Sequence, residues 1–128
     1  MRPVVLRLLP DEHAICRLPA GTPGPAWSRG GAFTSVTATP DEVSVICAAA
    51  HVPEGVDHDR GWRVAQFEGP IALTEIGVLT SVLVPLAAAG ASILAQSTFN
   101  TDYLLLKSVQ LEVVVDALRA AGHVVNDA

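Results

Sequence analysis

IGVLTSVLVPLAAAGASILA, residues 76–95, runs for twenty positions without a formal charge, and the fold of the chain turns on how it divides. A bilayer-spanning helix needs about 20 apolar residues, so length alone admits a membrane reading. The punctuation argues against it. Gly77, Pro85 and Gly90 interrupt the run, Glu75 abuts it and no Lys or Arg flanks it closely, whereas spanning helices carry cationic and aromatic anchors. The run parses instead as a helix, a glycine stop and a strand. Val78, Leu79, Val82, Leu83 and Leu86 recur at i, i+1, i+4, i+5 and i+8, which paints one helical face. Pro85 has no N–H for the carbonyl of Ser81, so a kink or loosened turn is expected there. Gly90 is expected to end the helix in a left-handed C′ conformation.

Working outward, residues 91–98 and 102–107 are apolar-rich runs separated by Phe99-Asn100-Thr101, a spacing that suits an antiparallel hairpin. Ser108 is placed to cap the next helix, whose Leu111, Val114, Val115, Leu118 and Ala121 share a face. Gly122 stops it and residues 123–125 resume as a strand. PLAAAGASILAQS and ALRAAGHVVND are thus two copies of one pattern: helix end, glycine, strand. With a further strand over residues 62–68, the order is strand, helix, strand, strand, helix, strand. That is the split βαβ, ferredoxin-like order, an α+β fold with two helices on one face of an antiparallel sheet.

The first half is less regular. Strands are expected at residues 4–9, 13–18 and 33–38, with a Pro- and Gly-rich loop over residues 19–31. Thr39-Pro40-Asp41-Glu42 has the form of a helix capping box, although the VSVIC that follows prefers a strand. The pattern predicts one helical turn, then a strand to Ala48. Residues 49–61 read as a polar loop carrying His51, Asp57, His58 and Asp59, whose spacing matches no zinc motif.

The net charge of −5, with eight Lys and Arg and no basic cluster, gives no footprint for nucleic acid or anionic lipid. Cys16 and Cys47 have no metal-ligand spacing and fit buried thiols in a reducing, cytoplasmic setting. His13 and His123 fall in or beside strands, where a solvated or hydrogen-bonded imidazole is expected. No nucleophile, base and orienting acid group together, so no catalytic residue, metal or cofactor is expected.

One constellation does carry chemistry. Glu75, Gly77 and Val78 lie at a strand-to-helix loop, and Ser97, Thr98, Phe99 and Asp102 at the hairpin. In the split βαβ order the strand entering the first helix and the strand leaving the hairpin are central neighbours, which lets the two groups approach. Backbone N–H groups at Gly77 and Val78 would seat a carboxylate. Glu75 and Asp102 would meet an amino group or cationic side chain, with Phe99 as an apolar wall. An equally available reading makes Glu75 a solvated loop acid and Asp102 a turn acid.

TPDEVSVIC (residues 39–47), GWRVAQFEGPI (61–71), TEIGVLTSVLVPLAAAGASI (74–93) and STFNTDYLLL (97–106) together make the chain resemble ACT-domain proteins of the CASTOR type, small amino-acid sensors and their bacterial relatives. The resemblance implies two ACT-like modules, the first abbreviated over residues 1–61 and the second over 62–128. It implies an amino acid bound at a module interface and no catalysis. By the same resemblance Glu75, Gly77, Val78, Thr98, Phe99 and Asp102 line the pocket, and Ser97 and Thr98 of a facing module close it. The arginine-sensing members hold four modules where this chain holds two, so a homodimer is expected; the retained acids favour a cationic amino acid. Two rival functions remain: a protein–protein interaction module with an empty site, and a small ferredoxin-like enzyme using Glu75, Asp102 or the loop histidines.

Overall fold

The computed structural model describes residues 3–127. Its strands are β1 (Val5–Leu8), β2 (His13–Pro19), β3 (Ser35–Ala38), β4 (Glu42–Ala48), β5 (Asp57–Phe67), β6 (Ile93–Ser97), β7 (Asp102–Lys107) and β8 (Val124–Asp127), and its helices are α1 (Val78–Ala88) and α2 (Leu111–Ala120). The chain divides into two compact units, Asp11–Trp62 and a second that joins the residues up to Pro10 with those from Arg63 onward. The strand near the N-terminus therefore does not belong with the first half, as the sequence pattern suggested. It is part of the sheet built mainly by the second half.

In the unit Asp11–Trp62, β3, β4, β2 and the start of β5 form an antiparallel sheet. Cys16, Val43, Val45 and Cys47 are its buried apolar cluster, with Leu18, Trp27, Val52 and Val56 packed against them. The helical turn expected at Thr39 is instead a hairpin turn between β3 and β4. The Thr39 hydroxyl accepts the N–H groups of Asp41 and Glu42, both at 3.2 Å, and the Thr39 N–H donates to the Glu42 carbonyl at 3.0 Å. Capping-box chemistry thus closes a turn, because the β-branched run after it pairs with β2 rather than coiling. The polar loop expected over residues 49–61 is also shorter: Asp57, His58 and Asp59 lie in β5 and His51 in a 3-10 turn. His13 is fully buried, its Nδ1 at 3.2 Å from the Asp11 carbonyl oxygen.

The other unit has the ferredoxin-type, α+β order expected, with one addition. Its strands run β6, β7, β5, β1, β8, so β1 sits between β5 and β8, antiparallel to the first (Leu6 opposite Phe67) and parallel to the second (Val5 opposite Val124). Leu6, Phe67, Val82, Leu86, Leu104, Leu106, Val114 and Leu118 lie in its buried core. Both helices end in the same Schellman arrangement. Gly90 and Gly122 have φ of +77° and +92°; their N–H groups bond Ala87 and Arg119, and the next residues, Ala91 and His123, bond Leu86 and Leu118. That explains the repeated glycine stop. Ser108 does not cap α2: Ser108–Gln110 is a 3-10 turn, and Gln110 holds the cap position without a side-chain bond to the first N–H groups of the helix.

α1 continues through Pro85. The Ser81 carbonyl, deprived of its usual partner by the proline, is met by His123 Nε2 at 2.9 Å, while His123 Nδ1 accepts the Val4 N–H at 3.0 Å. An acceptor at Nδ1 requires the proton on Nε2, so one buried neutral imidazole ties β1, α1 and the entry to β8 together. Among the described residues, no helix is long and apolar enough to cross a membrane.

Candidate functional site

Two segments of the second unit build the site. The first is the exit from β5. Ile71 donates its N–H to the Asn100 carbonyl at 2.8 Å, and Glu75 donates to Ala72 at 3.0 Å, closing a turn. Gly77 then takes φ +84°, the left-handed conformation that favours glycine, and stands as the N-cap of α1 with no side-chain cap bond to it. The first N–H groups of an α-helix have no partner within the helix, and the first residues of α1, Val78, Leu79 and Thr80, line the same hollow as Glu75.

The second segment is the β6–β7 hairpin. Ser97 and Asp102 are opposite one another at its end, and the Ser97 hydroxyl donates to Asp102 Oδ1. The Thr98 N–H donates to the Thr101 carbonyl at 2.8 Å. Thr101 is buried while its turn neighbours are exposed, and its Oγ1 donates to the Phe67 carbonyl at 2.7 Å.

Between the segments lies a hollow of about 200 Å³. Glu75, Gly77, Val78, Ser97, Thr98 and Asp102 all line it, so six of the seven residues singled out in the sequence come together. Phe99 does not line it; it stands at the hairpin tip, 83% exposed. Ile71, Ala72, Leu73, Leu79, Thr80 and Thr101 also line the hollow and were not placed in the expected pocket. Thr80 had a signal, since it falls in the first turn of α1. Thr101 had none, because its partner is distant in sequence.

The lining holds two carboxylates and four hydroxyls, and no Lys or Arg. The positive end of the α1 dipole supplies the complementary pole. The arrangement can hold an ammonium group at the acids and a carboxylate at the helix end, the two charges of a zwitterion. Elsewhere among the described residues, no three His, Cys, Asp or Glu side chains are grouped as a metal would require.

A family model described as an ACT domain matches residues 57–120, and a second, described as an N-terminal domain, matches residues 11–55. A crystal structure of an Agobacterium tumefaciens protein is 39% identical, covers 100% of this chain and 96% of its own, and superposes with a TM-score of 0.94. A Vibrio cholerae protein of unknown function is 12% identical over 92% of this chain and 89% of its own, with a TM-score of 0.71. The ligand-free regulatory subunit of aspartate kinase from Thermus thermophilus is 14% identical over 88% of this chain and 93% of its own, with a TM-score of 0.61. The last two likenesses are of fold alone. No curated protein sequence matches the chain.

Proposed function

Because this chain belongs to the ACT-domain family, we propose that it is a non-enzymatic, cytoplasmic regulatory protein that binds a free amino acid in the hollow between α1 and the β6–β7 hairpin. The observation that carries the reading is the convergence of Glu75, Gly77, Val78, Ser97, Thr98 and Asp102 on one cavity with opposite electrostatic poles. The acids favour a ligand with a cationic side chain, as in sensors of the CASTOR type, and Asp11–Trp62 serves as an abbreviated ACT-like module.

The hollow, at about 200 Å³, is smaller than ordinary ligand cavities of about 300–1,000 Å³, so a second copy of the chain completes it. Exposed Leu73, which lines the hollow, and exposed Ile76 and Phe99 beside it give that copy an apolar rim to close on. Thermal-shift measurements over the twenty amino acids, with light scattering on the same samples, test the reading. The expected result is a dimer whose melting temperature rises with a cationic amino acid. A monomer that none of the twenty stabilises would overturn it.

A further inference from the structure

The two halves of the hollow come from segments far apart in sequence, and the geometry points to Thr101 and Gly69 as the residues that hold those halves in register. This rests on the amino-acid-binding reading above and adds positioning residues to it.

Thr101 faces both ways. Its hydroxyl donates to the Phe67 carbonyl at 2.7 Å, at the end of β5, and its carbonyl receives the Thr98 N–H at 2.8 Å, inside the hairpin turn. One residue earlier, the Asn100 carbonyl receives the Ile71 N–H, also at 2.8 Å. The hairpin tip that presents Ser97, Thr98 and Asp102 is thus stapled at two points to the strand exit leading to Glu75 and Gly77.

Gly69 lies inside the staple. A Cβ on it would stand 3.1 Å from the Ile71 nitrogen, 3.2 Å from Thr101 Cβ and 3.3 Å from the Asn100 oxygen. Its φ is not left-handed, unlike that of Gly77, so close approach rather than backbone conformation asks for glycine here. Any side chain would push the turn away from the strand exit by a few tenths of an ångström, and the walls of a small hollow would move with it. Thr101 acts on a ligand through the placement of Ser97, Thr98, Asp102 and the loop before α1.

The test pairs Thr101→Val, which keeps the shape and removes the donor, with Thr101→Ser, which restores the donor, and with Gly69→Ala. In ligand-free protein, hydrogen exchange at the Ile71 amide should rise at least tenfold in Thr101→Val and Gly69→Ala and stay near wild type in Thr101→Ser. Calorimetric titration with arginine, lysine and whichever amino acid gives the largest thermal shift should show affinity weakened at least tenfold in the first two variants and largely restored by serine. Unchanged Ile71 exchange overturns the staple whether or not any amino acid binds. Faster exchange with unchanged affinity overturns the positioning role. If wild type binds no amino acid while Ile71 exchange responds as expected, the binding reading fails and the staple stands as the device that holds the turn.

Discussion

Asp102 has two partners to satisfy: the Ser97 hydroxyl across the hairpin and, in the proposed complex, a cationic ligand. Asparagine retains an acceptor for Ser97 and removes the charge. Asp102→Asn should therefore leave the melting temperature of the free protein nearly unchanged and weaken binding of a cationic amino acid by about 1.5–3 kcal/mol, the range for hydrogen bonds to charged groups; calorimetry reads the second and thermal melting the first. A large loss of stability without ligand would make the acid part of the hairpin alone. The short-range part of this site was legible in the sequence, since Glu75, Gly77 and Val78 are neighbours on one loop and Ser97, Thr98 and Asp102 on one turn. Thr101 was not, because its hydroxyl partner, Phe67, lies 34 positions away. Phe99 was misplaced for a related reason: turn-tip residues point by turn geometry, which composition does not encode.

At the scale of elements, what was legible is what local chemistry dictates. Both glycine stops and the hairpin were readable from a few adjacent residues. Thr39 was misread because its side chain makes the same bonds in a helix cap and in a hairpin turn, and only pairing with a distant strand separates the two. The proline in α1 is the sharper case. A kink or loosened turn was expected; the helix runs through Pro85, and the carbonyl that the proline leaves without a partner finds its donor in His123. His123→Leu should strand two backbone groups, the Val4 N–H and the Ser81 carbonyl, at a cost of about 1–3 kcal/mol each. Pro85→Ala restores an N–H within reach of Ser81, so it should stabilise the His123→Leu protein more than it stabilises wild type. A double-mutant cycle by urea denaturation measures that coupling, and strict additivity would show that the imidazole and the proline are unrelated.

At the scale of the whole molecule, the two thiols report on the core of the unit Asp11–Trp62. Cys16, 1% exposed, is pushed up from the ordinary thiol value of 9.0 to about 11, first by burial and then by neighbouring Cys47, and burial raises Cys47 as well. A group that keeps its proton in the folded chain and releases it near 9.0 in the unfolded one contributes stability that is complete below that pH and is lost as the pH climbs towards 11. Urea midpoints at pH 7 and pH 10 should therefore differ more for wild type than for Cys16→Ala, and both thiols should resist alkylation at pH 8 until denaturant is added. Rapid labelling of the native protein would contradict the burial. The place of β1 bears on a different matter, the order of events as the chain leaves the ribosome. Val4, at the threshold of β1, bonds His123, 119 positions downstream, and the whole Asp11–Trp62 unit is encoded between β1 and the rest of its sheet. β1 must therefore wait for β8, its parallel partner, and a nascent chain carries β1 without either neighbour until β5 and then β8 have been made. Such distant pairing slows folding, and leaves a holdase or a stalled ribosome more time to act on this sheet than on the unit inserted into it.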